Sequence, residues 1–158
     1  MRIRTLLALA GIGLLLGGCA SGPKFTPDTA VPSNRAAVYV YRPGSLGAAV
    51  QPHVTANGVP LAALKPQGYF VYHAAPGELE MAAHTESTSS VTLDIKAGET
   101  YYVKGSIGMG FFVGHPHLVI VSNDVGAKEI TECKLVEGPI PTAEDVAKGP
   151  APAAATKK

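Results

Sequence analysis

The sequence predicts a mainly β protein, a small antiparallel β-sandwich with one short C-terminal helix. Three observations carry that prediction. The dominant hydrophobic period between Ala36 and Ser122 is two rather than 3.6, the mark of half-buried strands. Turn signals (Pro43-Gly44, Asn57-Gly58, Pro76-Gly77 and Lys96-Ala97-Gly98) interrupt the runs at sandwich-like intervals. Only Asp124 to Leu135 reads as helical. Such elements bury one core most economically as two packed layers.

In chain order, the first segment belongs to export rather than to the fold. Arg2 and Arg4 are followed by an unbroken apolar run, Leu6 to Leu16. That run is shorter than the ~20 residues needed to cross a bilayer, and with small residues after it reads as a secretory signal. Leu16-Gly17-Gly18-Cys19 resembles the lipobox of bacterial lipoprotein precursors. That resemblance implies cleavage between Gly18 and Cys19 and acylation of the Cys19 thiol, hence attachment to a membrane through a lipid anchor. Durable attachment takes more than one lipid signal, each buried CH₂ contributing about 0.8 kcal/mol. Ala20 stands where enterobacterial lipoproteins retained at the inner membrane carry Asp, which points to the outer membrane, facing the periplasm.

Residues 19–34 hold Pro23, Pro27 and Pro32 among small polar residues and read as a flexible tether after the lipidated cysteine. At no more than ~3.3 Å per residue it would let the domain stand up to about 50 Å from the membrane. The domain itself is expected over residues 35–136. Ala36 to Arg42 is β-branched and aromatic; His53 to Ala56 and Val59 to Leu64 flank Asn57-Gly58, whose turn needs positive φ at both positions. Tyr69 to Ala74 follows; then Leu79, Met81 and Ala83 alternate with Glu78 and Glu80. Val91, Leu93 and Ile95 form the next inward set, and Tyr101, Val103 and Ile107 another, with Lys104 and Ser106 opposite. Leu118 to Val121 is continuously apolar, which predicts a strand covered on both faces. In the helical segment Asp124 is the expected cap, and Val125, Ile130 and Cys133 share a face. Residues 137–158 are Pro/Ala-rich and predicted to be a disordered tail.

Composition narrows the function classes. The 158 residues suit one domain, and removal of residues 1–18 takes away Arg2 and Arg4 and no acid, turning a formal net charge of +1 into −1. A near-neutral domain lacks the clustered cationic face that nucleic acid requires. With Cys19 acylated, Cys133 is the sole remaining cysteine, so no internal disulfide framework exists. It is either buried or pairs between chains, and the usual placement of free cysteine favours burial.

An ordered set of motifs adds a resemblance. Ala37-Val38-Tyr39-Val40-Tyr41-Arg42-Pro43-Gly44, Asn57-Gly58, Gly68-Tyr69-Phe70, Pro76-Gly77, Thr85-Glu86, Ala97-Gly98-Glu99-Thr100-Tyr101-Tyr102-Val103 and Gly108 to Gly114 resemble, in this order, a family of bacterial lipoproteins catalogued as a domain of unknown function. The likeness spans Arg35 to Val136. Val54 to Leu79 is also similar to PEGA-type and carboxypeptidase-regulatory-like sandwiches. Both resemblances imply the fold; neither implies a catalytic mechanism or a ligand.

Candidate chemistry is sparse. Gly105, Gly108, Gly110 and Gly114 lack the G-x-G-x-x-G spacing and the following helix of a dinucleotide site, and read as a bulged or bent hairpin. His115 and His117 are spaced to share a strand face, but no nearby Cys, Asp or Glu completes a four-ligand metal set. Thr85 to Ser90 supplies hydroxyls without a G-x-S-x-G elbow. Phe111 and Phe112 are adjacent, so on a strand they face opposite ways; one of them, beside Met109 and Val113, is a candidate contact for a partner or lipid. No catalytic residue, metal or cofactor is implied. The expected function is a membrane-anchored, non-catalytic binding or structural sandwich, whose partner is another envelope protein or peptidoglycan. As a cell-wall glycan-binding module it would offer Tyr39, Tyr41, Tyr72 and Tyr102 as stacking surfaces.

Overall fold

The structure, a computed structural model, describes residues 19–109 and 114–149. Among the described residues, nine strands form two packed sheets. β1 (Ala36–Arg42), β4 (Gly68–Ala74), β7 (Thr100–Met109), β8 (Gly114–Val121) and β9 (Lys134–Leu135) make one sheet in the order β8-β7-β1-β4-β9. β2 (His53–Ala56), β3 (Val59–Ala63), β5 (Gly77–His84) and β6 (Thr88–Ile95) make the other, in the order β3-β2-β5-β6. The mainly β sandwich is as the sequence predicts. Its first sheet is mixed, however: β1 runs parallel to β7, and β4 parallel to β9.

Alternation builds the space between the sheets. Val38 and Val40 of β1, Phe70 and Tyr72 of β4, Leu79 and Met81 of β5, Leu93 and Ile95 of β6, and Val103 of β7 meet in one buried cluster. Full burial of one such aliphatic side chain contributes about 1.5–3 kcal/mol. Asn57 and Gly58 both take positive φ, 46° and 80°, as the hairpin between β2 and β3 demands. The ladder of that hairpin slips once, between Val54 and Thr55.

β1 is buried along its whole length because both faces of its sheet are covered. On the outer face Ala37, Tyr39 and Tyr41 join Tyr69, Tyr102, Ile130 and Cys133 in a second cluster, against which Phe25, Val31 and Leu135 pack. Residues 20–34 are therefore part of the fold and not a free tether. Gly22 N–H donates to Leu135 O at 3.2 Å, Leu135 N–H to Pro23 O at 2.8 Å, and Phe25 N–H to Cys133 O at 3.0 Å. A Cβ on Gly22 would stand 2.4 Å from Leu135 O, so this close approach requires glycine. The prolines that make the segment extended also let it lie flat on the sheet.

Three further expectations are corrected. The helical segment is shorter: α1 spans Asn123–Glu129, a 3-10 turn covers Ile130–Glu132, and Lys134–Leu135 is strand β9. Ser122, not Asp124, is the N-cap residue, and Val125 is 40% exposed while Ile130 and Cys133 are buried. Cys133 is thus the buried alternative of the two. β8 is an edge strand, which leaves Val119 and Ile120 half exposed instead of covered on both sides. The tail is ordered in part: α2 (Ala143–Ala147) opens with a capping box between Thr142 and Asp145, and its Ala143 and Val146 enter the inter-sheet core.

Candidate functional site

The strand register brings the residues of interest to one end of the sandwich. Arg42, the last residue of β1, pairs with Gly68, which pairs with Lys134. Arg42 shares the parity of Val38 and Val40 and therefore points inward, where it is 1% exposed and closes the core. Its guanidinium donates only to main-chain carbonyls: Nη1 to Val50 O at 2.8 Å and Leu64 O at 3.4 Å, Nη2 to Leu46 O at 2.6 Å and Gly47 O at 3.0 Å. Burial lowers its pKa, yet arginine keeps its proton in proteins. The cation ties the loop after β1 to the end of β3 and braces this end of the sandwich. Sequence reasoning treats Arg42-Pro43-Gly44 as a strand stop; the signal for its burial is that Arg42 continues the inward alternation of Ala36, Val38 and Val40.

Cys19 is exposed at this same end and lies within electrostatic range of the Arg42 guanidinium. The residue that follows it belongs to the fold: Ala20 is 5% exposed and its N–H donates to Pro66 O at 3.3 Å. The second cysteine is chemically different. Cys133 is buried, and desolvation pushes its thiol up to about 11, so at neutral pH it stays protonated and unreactive. Gly18, Phe111 and Phe112 lie outside the described residues.

The remaining polar candidates serve the frame. Ser89 Oγ accepts the Leu118 N–H at 3.0 Å and Ser87 Oγ lies 3.0 Å from His115 Nδ1, which stitches β6 to the edge strand β8. His84 sits between Thr55 and Thr88 at 3.1 and 3.0 Å. Among the described residues no group of three His, Cys, Asp or Glu side chains converges as a metal site would. Among the described residues the ladder between β7 and β8 runs without a slip from Tyr102↔Val121 to Met109↔Gly114, so no bulge accounts for Gly105, Gly108 or Gly114, and Gly110 lies outside the described residues. These three give room: Gly105 to the Leu64 side chain, Gly108 to the His117 ring, Gly114 to Ile107 and Val50.

The four tyrosines expected to stack on glycan are core residues, between 0% and 7% exposed. Tyr72 faces the inter-sheet core, while the rings of Tyr39 and Tyr102 stack on each other at 5.3 Å. Tyr41 Oη donates to Glu129 Oε2 at 2.7 Å, and Lys104 Nζ to the other carboxylate oxygen at 2.8 Å, which clamps α1 to the sheet. The Lys104 ammonium first, and then the Tyr41 hydroxyl, hold the Glu129 carboxyl below its ordinary pKa.

With this geometry in place, comparison with known proteins gives a family but no activity. Residues 32–116 match the sequence pattern of a family described as "Protein of unknown function (DUF2846)". The chain belongs to that family. The matched span takes in β1 to β7 and the Arg42 end-closure, and it stops within β8, before α1. An uncharacterized protein of Haemophilus influenzae (strain ATCC 51907 / DSM 11121 / KW20 / Rd) is 23% identical over 137 residues, 81% of this chain and 82% of its own length.

Proposed function

We propose that this chain is an envelope lipoprotein, acylated on Cys19 and held at the outer membrane facing the periplasm, whose β-sandwich is a non-catalytic binding or structural module. The observation that carries the reading is the pairing of Leu16-Gly17-Gly18-Cys19 with an exposed thiol next to the buried Ala20. Acylation needs a reachable sulfur, and the other cysteine is shut inside the fold. The non-catalytic reading is supported by what the hydroxyls and imidazoles do: Ser87, Ser89, His84 and His115 join strands at the sandwich edges. The glycan alternative loses its support with the burial of Tyr39, Tyr41, Tyr72 and Tyr102.

Metabolic labelling with an alkyne analogue of palmitate, followed by mass analysis of the N-terminal peptide, tests the proposal. The expected result is a label on Cys19 as the new N-terminus, with no label and no membrane association for Cys19→Ala. A processed chain with an unmodified Cys19 would sink it.

A further inference from the structure

We infer that the Cys19 end of the sandwich is a seating face, held directly against the phospholipid headgroup layer with no tether between anchor and fold. The inference rests on the acylation of Cys19 proposed above and specifies how the domain then stands on its membrane. A lipid attached to Cys19 leaves no free residue before structure begins, since Ala20 is buried and bonded to Pro66. Instead of ranging up to about 50 Å from the bilayer, the domain rests on it by one end.

The register defines that end. Arg42, Gly68 and Lys134 mark it on the first sheet. Leu64 N–H donates to Pro52 O there, and His53 pairs with His84 just before the β5–β6 turn. β7 continues five residues past Lys104, the partner of Tyr41, so its last residue, Met109, also lies at this end. The opposite end holds the Asn57-Gly58 turn, the start of β1 at Ala36 and helix α2, whose Glu144 pairs with Arg35. Cys19 therefore lies at one end of the sandwich and α2 at the other.

Surface chemistry differs between the ends in the direction an anionic headgroup layer requires. Five acids, Glu78, Asp94, Glu99, Glu144 and Asp145, gather toward the α2 end against three cations, Arg35, Lys96 and Lys148, whereas residues 43–52 and 64–67 hold no carboxylate. Lys24, Lys65 and Lys134 lie toward the seating end, against Glu86 and Glu132. A lysine near an anionic surface contributes about 1 kcal/mol. Leu46, 63% exposed on a loop that Arg42 holds rigid, supplies an apolar contact that can enter the headgroup boundary.

The test uses the full chain expressed in bacteria, with a single reporter cysteine at each end. Ser45→Cys stands beside Leu46 and Ala97→Cys at the far end, both at exposed positions, while Cys133 is shielded. Isolated envelopes are treated with a bulky maleimide-polyethylene glycol before and after detergent. The expected outcome is several-fold slower reaction of Ser45→Cys than of Ala97→Cys in membranes, and equal rates in detergent. Equal rates in both conditions, for a chain that does fractionate with the membrane, would overturn the seating face and leave acylation standing. A chain absent from the membrane fraction would instead overturn the acylation reading, and the seating face with it.

Discussion

The two faces of β1 solve one problem with different chemistry. The inner face, Ala36, Val38 and Val40, meets aliphatic residues from the opposite sheet and is held by area alone. The outer face, Ala37, Tyr39 and Tyr41, meets tyrosines that are covered by residues from two remote segments, the N-terminal arm and α1. Those covers are short, so area is supplemented by directed contacts: Phe25 set edge-on to Tyr39 and Tyr69 at 5.4 and 5.1 Å, and tyrosine hydroxyls bonded to Asp28 and Glu129. A sheet covers its partner with many side chains from continuous strands. An arm and a single helix must hold their place with a few specific ones.

The largest effect should come from the inner face. Phe70 is completely buried among residues of both sheets, so Phe70→Ala is expected to cost about 3–5 kcal/mol by lost transfer energy and the cavity left behind. Urea denaturation should show a lower midpoint for the whole transition. A loss below about 1 kcal/mol would mean that the two sheets are not one cooperative core.

Phe25→Ala probes the outer face at the arm. Phe25 is only partly buried, and its loss is expected to cost about 1–3 kcal/mol, including the two edge-to-face contacts. The discriminating readout is local: amide exchange should accelerate at Gly22, Phe25 and Leu135 while β2, β5 and β6 keep their protection. Arm amides that exchange without protection already in the natural chain would restore the flexible tether that the composition of residues 19–34 suggests.

What was legible in the sequence follows the same division. β1 to β7 are readable because one period-2 pattern sets both local conformation and burial, and because Asn57-Gly58 permits one turn geometry. The arm and α2 are not, since each docks through one or two side chains (Phe25, Ala143, Val146) set among prolines, glycines and alanines that show no period. β8 misleads for a different reason. A continuous apolar run looks the same in a strand covered on both faces and in an edge strand whose Val119 and Ile120 stay half exposed. At the seating end, Cys19 was legible as a motif, but the absence of a tether depends on Ala20 reaching Pro66 across a distance in sequence that no local pattern encodes.

The smallest effect separates the two faces by pH. Asp28 Oδ2 lies 2.7 Å from His73 Nε2 on β4, its Oδ1 accepts the Ala30 N–H at 2.8 Å, and its own N–H donates to Tyr39 Oη at 2.8 Å. The Ala30 N–H first, and then His73, hold its carboxyl below the ordinary value of 3.8. A depressed carboxyl pKa contributes stability that is fully present above the ordinary value and fades as pH falls through the lower folded one. The arm should therefore loosen below about pH 3.8 while the inter-sheet core, whose buried side chains include no carboxyl or imidazole, keeps its protection. Glu129, Glu144 and Asp145 have lowered pKa values as well, so the global acid transition mixes several groups. The measurement that isolates Asp28 is the difference in arm amide exchange between the natural chain and Asp28→Asn across this range. Asparagine keeps an acceptor for Ala30 but carries no charge, so its arm should be looser at neutral pH and insensitive to acid. Superimposable acid profiles for the two chains would show that the arm is held by Phe25 and the backbone bonds to β9 alone.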